Sequence, residues 1–291
     1  MTEINVSENG VEELNREVAK QINAAYMTNH NTIEHTYAAN NIENGVHVYK
    51  HRSIVAMYFL VTYAVLALVA TPIPLWKNMF WAVFMYFYID FYGGLLHFVL
   101  DHKGNLKLPL ISEACLEFQW HHNIPYDIAS QPFYEVVGAL NILSLVKLGF
   151  TLSAWLYVAF THRANMASWL VISAWAYLWA VVGQWSHRQA HTAPHKRPVL
   201  AVALQSIGVL IEPKQHKAHH DAAFEEPHSA QFGRTYPILH GKTGWLLEAC
   251  LNAVPSAEFW TLAWLMLTFG DVFLFLRLLQ GISNVFLSLM G

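Results

Sequence analysis

Ile89-Asp90-Phe91-Tyr92-Gly93-Gly94-Leu95-Leu96-His97-Phe98-Val99-Leu100-Asp101-His102 is the stretch that decides how this chain is read. It closes an apolar run that opens at Leu75, and a membrane-spanning helix needs about 20 predominantly apolar residues. Residues 75–96 meet that length. At about 1.5 Å rise per residue, Asp90 lies roughly 16 Å before Asp101 on such a helix. That depth is hydrocarbon, where an unpaired carboxylate costs a few kcal/mol or more. Asp90, Gly94, His97 and Asp101 fall on one helical stripe, so the run carries a polar line along one face.

Working outward, residues 53–70, 136–160 and 167–182 are similarly apolar. Thr71-Pro72-Ile73-Pro74 separates the first run from the second, because proline ends a helix and restrains the residue before it. Thr161-His162-Arg163-Ala164-Asn165 links the third to the fourth. The expected fold is an all-α integral membrane protein of about four transmembrane helices in two hairpins, under a cytosolic histidine-rich cap. The expected division is a polar N-terminal segment over 1–52, a membrane domain over 53–258 and an apolar or membrane-lying helix over 259–291. Within the first segment, Val11, Leu14, Val18 and Ile22 recur at helical spacing and suit a short amphipathic helix lying on the membrane. Residues 199–211 are too short to span and suit an interfacial or re-entrant helix.

Two hairpins return the chain to its starting side. The links and their margins hold Lys77 and Arg163, whereas Lys50, Arg52, Lys103, Lys107, Arg188, Lys196, Arg197, Lys214, Lys217, Arg234 and Lys242 fall opposite. By the positive-inside rule the basic side is cytosolic. A composition of 55% hydrophobic and 13% charged residues agrees with a membrane protein. A net charge of −3 offers no field for nucleic acid. The two cysteines, Cys115 and Cys250, form neither a disulfide framework nor a haem-attachment motif.

Seventeen histidines equal the lysines and arginines combined, which packing does not require. Four clusters lie at or beyond the cytosolic ends of the expected spans: His97 with Asp101 and His102, His121-His122, His187 with His191, and His216 with His219-His220. Residues three or four apart share a helical face, so His187 and His191 can chelate one ion. Adjacent histidines point about 100° apart and can serve two different metals. A structural zinc takes about four ligands, so eight convergent imidazoles imply two ions. Imidazole by itself suits zinc, copper, iron and nickel alike.

Asp90 and Asp101 are read as partners that orient ligand imidazoles, with direct ligation by Asp101 the lesser reading. His102 completes an H-x4-H spacing, and His195, His228 and His240 are auxiliary candidates. His30, His35, His47, His51 and His162 read as solvated surface residues. A metal transporter or sensor is a non-enzymatic alternative, but beyond Asp90 and Lys147 the spans offer few polar groups for a conduction path.

These elements resemble the lipid-desaturase family that includes plasmanylethanolamine desaturase, the Kua proteins and the plastid palmitoyl-phosphatidylglycerol desaturase. Asp90 through His97 with Asp101 is similar to its D-x3-G-x2-H-x3-D signature. Phe118-Gln119-Trp120-His121-His122 with Pro125 and Ile128 is similar to its F-x2-HH-x2-P-x2-I element. Gln184, His187 and His191 resemble its Q-x2-H-x3-H element, and Gln215 through His220 its terminal H-x2-HH box. The chain departs from the pattern at Gln189 and Phe98, where tryptophan is usual, and in a longer segment between His220 and Gly244.

The resemblance implies a ligand set of His97, His121, His122, His187, His191, His216, His219 and His220 holding two iron ions, with O2 as co-substrate. It further implies desaturation of an intact phospholipid: an sn-1 alkyl ether taken to the vinyl ether of a plasmalogen, or an acyl chain in the plastid manner. A related hydroxylase would use the same ligands. The chain has no dinucleotide loop or haem motif, so electrons come from a partner of the cytochrome b5 or ferredoxin type. Lys103, Lys107, Lys196 and Arg197 could dock it. The expected site is the endoplasmic reticulum membrane with the clusters facing the cytosol, and a plastid or bacterial inner membrane is the alternative.

Overall fold

The computed structural model describes residues 52–108, 111, 114–115, 118, 121–122, 127–130, 133, 147–153, 156, 167–225 and 233–270. The expected N-terminal amphipathic helix, most of 136–160, His162, His228 and residues 271–291 lie outside them. Among the described residues every regular element is helical.

Helix α1 (Arg52–Ala70) ends at the proline-bearing link, and α2 (Leu75–Asp101) follows directly. Pro74, with φ −55° and ψ 140°, is the N-cap of α2, since its ring pre-sets an extended entry. The helix runs past the expected end at 96, so His97 and Asp101 stand one turn apart on its last turns. Helix α3 (Ala167–His191) is the main packing partner of both α1 and α2. Tyr63 and Ser173 share a 2.7 Å hydrogen bond between α1 and α3. Trp175 Nε1 donates to Asn78 Oδ1 at 2.7 Å, and Trp179 Nε1 donates to the Ala82 carbonyl at 2.8 Å, between α3 and α2. Helical residues 147–153 add Leu148 to the apolar contact of Leu60, Tyr63, Ala64, Ala67 and Ala174.

Helix α4 (Val199–Ser206) is shorter than the apolar run that announces it. Gly208 takes a left-handed φ of +67°. Its N–H donates to the Gln205 carbonyl at 3.0 Å, and the Val209 N–H donates to the Leu204 carbonyl at 2.8 Å. That pair of bonds closes a helix C-terminus around a glycine and turns the chain into α5 (Pro213–Glu225). Helix α6 (Gly244–Ala253) and a further helix over 257–270, α7, complete the described chain.

Of the four expected spans, the third lies mostly outside the described residues, and among the described residues one helix, Leu75–Asp101, is long and apolar enough to cross a membrane. In α1 the apolar part is Met57–Ala70, about 21 Å at 1.5 Å per residue, short of a hydrocarbon core of about 30 Å. Helix α3 mixes apolar residues with Ser173, Gln184 and Ser186, all buried against protein.

The first half of α2 exposes Leu75, Trp76, Met79, Phe80, Val83, Phe84 and Phe87, whereas Gly94 and every residue from Leu95 to Asp101 are buried. The buried half packs on Ile111, Tyr236, Leu247, Leu251 and Trp264. Asn105 anchors this layer by donating to the Val99 carbonyl at 2.7 Å and to Thr261 Oγ1 on α7 at 2.8 Å. Leu247→Ala, which empties part of that layer, is expected to lower stability by about 2–5 kcal/mol, read by thermal unfolding of the purified protein. An unchanged transition would show that α6 does not support α2.

Candidate metal centre

Four segments deliver imidazoles to one place: the end of α2 (His97), the 121–122 helical turn, the end of α3 (His187, His191) and α5 (His216, His219, His220). Their donor atoms fall into two groups, each with all members within 4.8 Å of one another. One holds His121, His187, His191, His216 and His220; the other holds His97, Asp101, His122 and His219. Both adjacent pairs divide between the groups. On α5, His216 and His220 lie one turn apart on one side, and the roughly 100° step between neighbours turns His219 toward the other group.

In the first group, His216 Nε2 lies 2.8 Å from His191 Nε2 and 3.1 Å from His220 Nε2, and His191 Nε2 lies 3.3 Å from His187 Nε2. In the second, His219 Nε2 lies 3.1 Å from His97 Nε2 and 3.3 Å from His122 Nε2. Asp101 Oδ1 lies 3.1 Å from His122 Nε2, and Asp101 Oδ2 lies 3.3 Å from His219 Nε2 and 3.6 Å from His97 Nε2.

These separations suit a shared cation. Two nitrogens each about 2.0–2.1 Å from one ion sit about 2.9 Å apart at a right angle and about 3.4 Å apart at the tetrahedral angle. Hydrogen bonding alone accounts for them poorly, because a neutral imidazole has one donor and one acceptor. His216 Nε2 faces two other Nε2 atoms, while its own Nδ1 is buried with no hydrogen-bond partner. The Nδ1 atoms of His122, His187, His219 and His220 are likewise buried and unpartnered among the described residues.

Burial, reinforced by the neighbouring rings, holds His121 and His216 well below the ordinary imidazole value of 6.5 and lowers His220 as well. Burial also lowers His219, against the opposing pull of Asp101. These rings are therefore neutral and able to offer lone pairs to a metal. His97 is oriented from behind: its Nδ1–H donates to the Tyr236 carbonyl at 3.0 Å, which leaves Nε2 aimed into the second group. The Phe118 and His97 rings meet edge to face with centroids 5.2 Å apart.

The other sequence candidates lie elsewhere. Asp90 touches no clustered imidazole; instead it accepts the N–H groups of His240, Gly241 and Thr243 at 2.8, 3.0 and 3.1 Å and the Thr243 hydroxyl at 2.7 Å. It therefore binds a backbone turn, where the sequence suggested an orienting contact to a ligand ring. His102 follows the last turn of α2, half-buried and in neither group. His195 is exposed. His240 is buried against Tyr86, with ring centroids 4.1 Å apart, outside both groups. The Tyr236 carbonyl was not foreseen, because a peptide oxygen leaves no signature in sequence.

A family model for the lipid desaturase domain matches residues 86–252, a range that contains both groups. The chain is 30% identical over 155 residues to fatty acid desaturase 4, chloroplastic, of Arabidopsis thaliana, covering 53% of this chain and 45% of that protein. It is 28% identical over 165 residues to plasmanylethanolamine desaturase 1 of Mus musculus, covering 54% of each. It is 24% identical over 148 residues to plasmanylethanolamine desaturase of Myxococcus xanthus, covering 48% of each. The chain thus spans about half the length of the curated relatives it matches. No solved structure matches it.

The buried neutral rings make the metal-free protein acid-sensitive. Their folded values lie below 6.5, so between those values and 6.5 the unfolded chain binds more protons. Stability is then present above pH 6.5 and is lost as pH falls through the depressed values. The unfolding temperature of chelator-treated protein is expected to fall progressively below about pH 6.5. A flat profile down to about pH 5 would show that these rings are not buried in the neutral form.

Proposed function

The chain belongs to the lipid desaturase family, and from that premise we propose that it is an O2-dependent di-iron membrane lipid desaturase that converts a 1-alkyl ether phospholipid, plasmanylethanolamine, to the vinyl ether. The observation that supports this reading is the pair of buried donor groups beside an exposed apolar surface. Iron is favoured over a structural zinc because the five donors of the first group exceed the four that a structural zinc takes, and a carboxylate joins three imidazoles in the second.

In this reading His121, His187, His191, His216 and His220 hold one ion, and His97, His122, His219 and Asp101 hold the other. Bound iron would supply the oxygen-activating redox chemistry. The chain's own residues do the rest. The Tyr236 carbonyl fixes the tautomer of His97, Asp101 brings a negative charge to the second group, and burial of the ligand rings keeps out bulk water. Forming the double bond removes two hydrogens from the lipid. With O2 reduced to two waters, two electrons and two protons must also be supplied, and an external donor of the cytochrome b5 or ferredoxin type delivers the electrons. Lys107 and Lys196 are exposed and would attract an acidic donor.

The apolar surfaces of α1, α2 and α4 serve as the lipid-facing side. Val65, Leu66 and Val69 on α1, Phe80 and Phe84 on α2, and Val199, Leu200 and Ile207 at α4 are all exposed. Soluble monomers rarely carry such a surface. With the basic segments cytosolic, an endoplasmic reticulum membrane is the proposed location. The similarity to chloroplastic desaturases at comparable identity favours one second reading, desaturation of a phospholipid acyl chain.

Expression in cells that lack plasmalogen synthesis but are supplied with ether lipid is expected to yield vinyl ethers by lipid mass spectrometry. A new acyl double bond without vinyl ether would establish the second reading, and a hydroxylated lipid would point to the related hydroxylase. The purified protein is expected to hold about two irons per chain; stoichiometric zinc without iron would overturn the metal assignment.

A further inference from the structure

The turn bound by Asp90 continues directly into the peptide that holds His97. Residues 236–243 run as an irregular strap along α2 and meet it at three points of one stripe. Asp90, fully buried, takes the four hydrogen bonds from His240, Gly241 and Thr243. Gly94 permits the closest approach: a Cβ there would sit 2.9 Å from Pro237 Cγ, 2.9 Å from Leu247 Cδ2 and 3.0 Å from the Pro237 nitrogen. His97 donates Nδ1–H to the Tyr236 carbonyl at 3.0 Å. The spacing of four and then three residues keeps all three contacts on one face of α2.

The far side of the strap is tied down as well. The Leu239 carbonyl accepts from Ser186 Oγ at 2.7 Å and from the Ile211 N–H at 2.9 Å. Ser186 immediately precedes His187 on α3. Gly241 sits at φ +77°, a left-handed conformation that lets successive N–H groups turn onto Asp90. His240 Nε2–H donates to the Tyr86 carbonyl at 3.3 Å, and its Nδ1 accepts the Lys242 N–H at 3.1 Å. The strap therefore bridges α2 and α3 next to one histidine of each donor group.

We infer that Asp90, Gly94 and Thr243 are positioning residues for the second donor group, acting through the 236–243 strap to hold the Tyr236 carbonyl on His97. The carboxylate reaches no donor atom of the centre and works at a distance of about two helical turns. This inference rests on the reading of His97 as a metal ligand. It assigns the stripe a division of labour: Asp90 anchors the strap, Gly94 seats it and His97 receives it.

The test compares Thr243→Val, which removes the hydroxyl donor at nearly constant shape, with Thr243→Ser, which keeps it, alongside Asp90→Asn and Gly94→Ala. Metal affinity is measured by titrating iron(II) into each purified protein, with thermal unfolding as a check that the variant is folded. Thr243→Val, Asp90→Asn and Gly94→Ala are each expected to weaken one of the two binding events by about 10- to 100-fold while the other is unchanged, as loss of an outer partner of a ligand histidine does. Thr243→Ser is expected to restore both. Folded variants that bind both ions like the parent, or that lose both equally, would overturn the inference. Failure of the parent protein to bind iron at all would instead remove the metal reading on which it rests.

Discussion

Nine donor side chains, five in one group and four in the other, point their lone pairs at one another in a buried space. Without a cation this arrangement is costly. Buried polar atoms without partners cost about 1–3 kcal/mol each, and among the converging donor atoms His121 Nε2 has no hydrogen-bond partner among the described residues. A fold does not converge four separate segments on such a point for packing, since any apolar set of similar volume would fill it better. Helix α2 continues to Asp101 and α3 continues to His191, each carrying its ligand-type residues on the final turns.

The division of the donors into two groups follows from helix geometry at α5. Three histidines at positions 216, 219 and 220 cannot all face one point, because neighbouring side chains diverge by about 100°. The same divergence separates His121 from His122. The two groups differ in chemistry, with imidazoles alone in one and a carboxylate among three imidazoles in the other. That carboxylate, Asp101, belongs to the centre itself, while Asp90, on the same stripe of α2, serves the backbone of the strap. Two aspartates that look equivalent in sequence therefore do different work.

The exposed apolar surface sets the environment in which this centre operates. Helix α2 is exposed over its first half and buried over its second, so a single helix passes from a lipid-compatible surface into the protein interior that holds the donors. In the proposed reading, a lipid chain would approach along that apolar wall, with the donor groups beyond its end.

Much of this was legible in the chain. Helical spacing within His187/His191 and within His216/His219/His220, together with the stripe of Asp90, Gly94, His97 and Asp101, announced helices that gather donors, because local periodicity is written directly in residue order. The proline-rich link ending at Pro74 marked the break between the first two helices for the same reason. Packing was less legible than helix position: apolar content does not reveal that Ser173 of α3 meets Tyr63 of α1, or that Ser186 meets the Leu239 carbonyl of the strap. Nor could the sequence separate Asp90 from Asp101 or reveal the Tyr236 carbonyl. Residue order alone determined which side chains were available and on which helical faces. Which of them meet, and which bind backbone instead, was decided by the tertiary structure, because contacts such as that of Asn105 with Thr261, 156 positions apart, depend on how the helices pack.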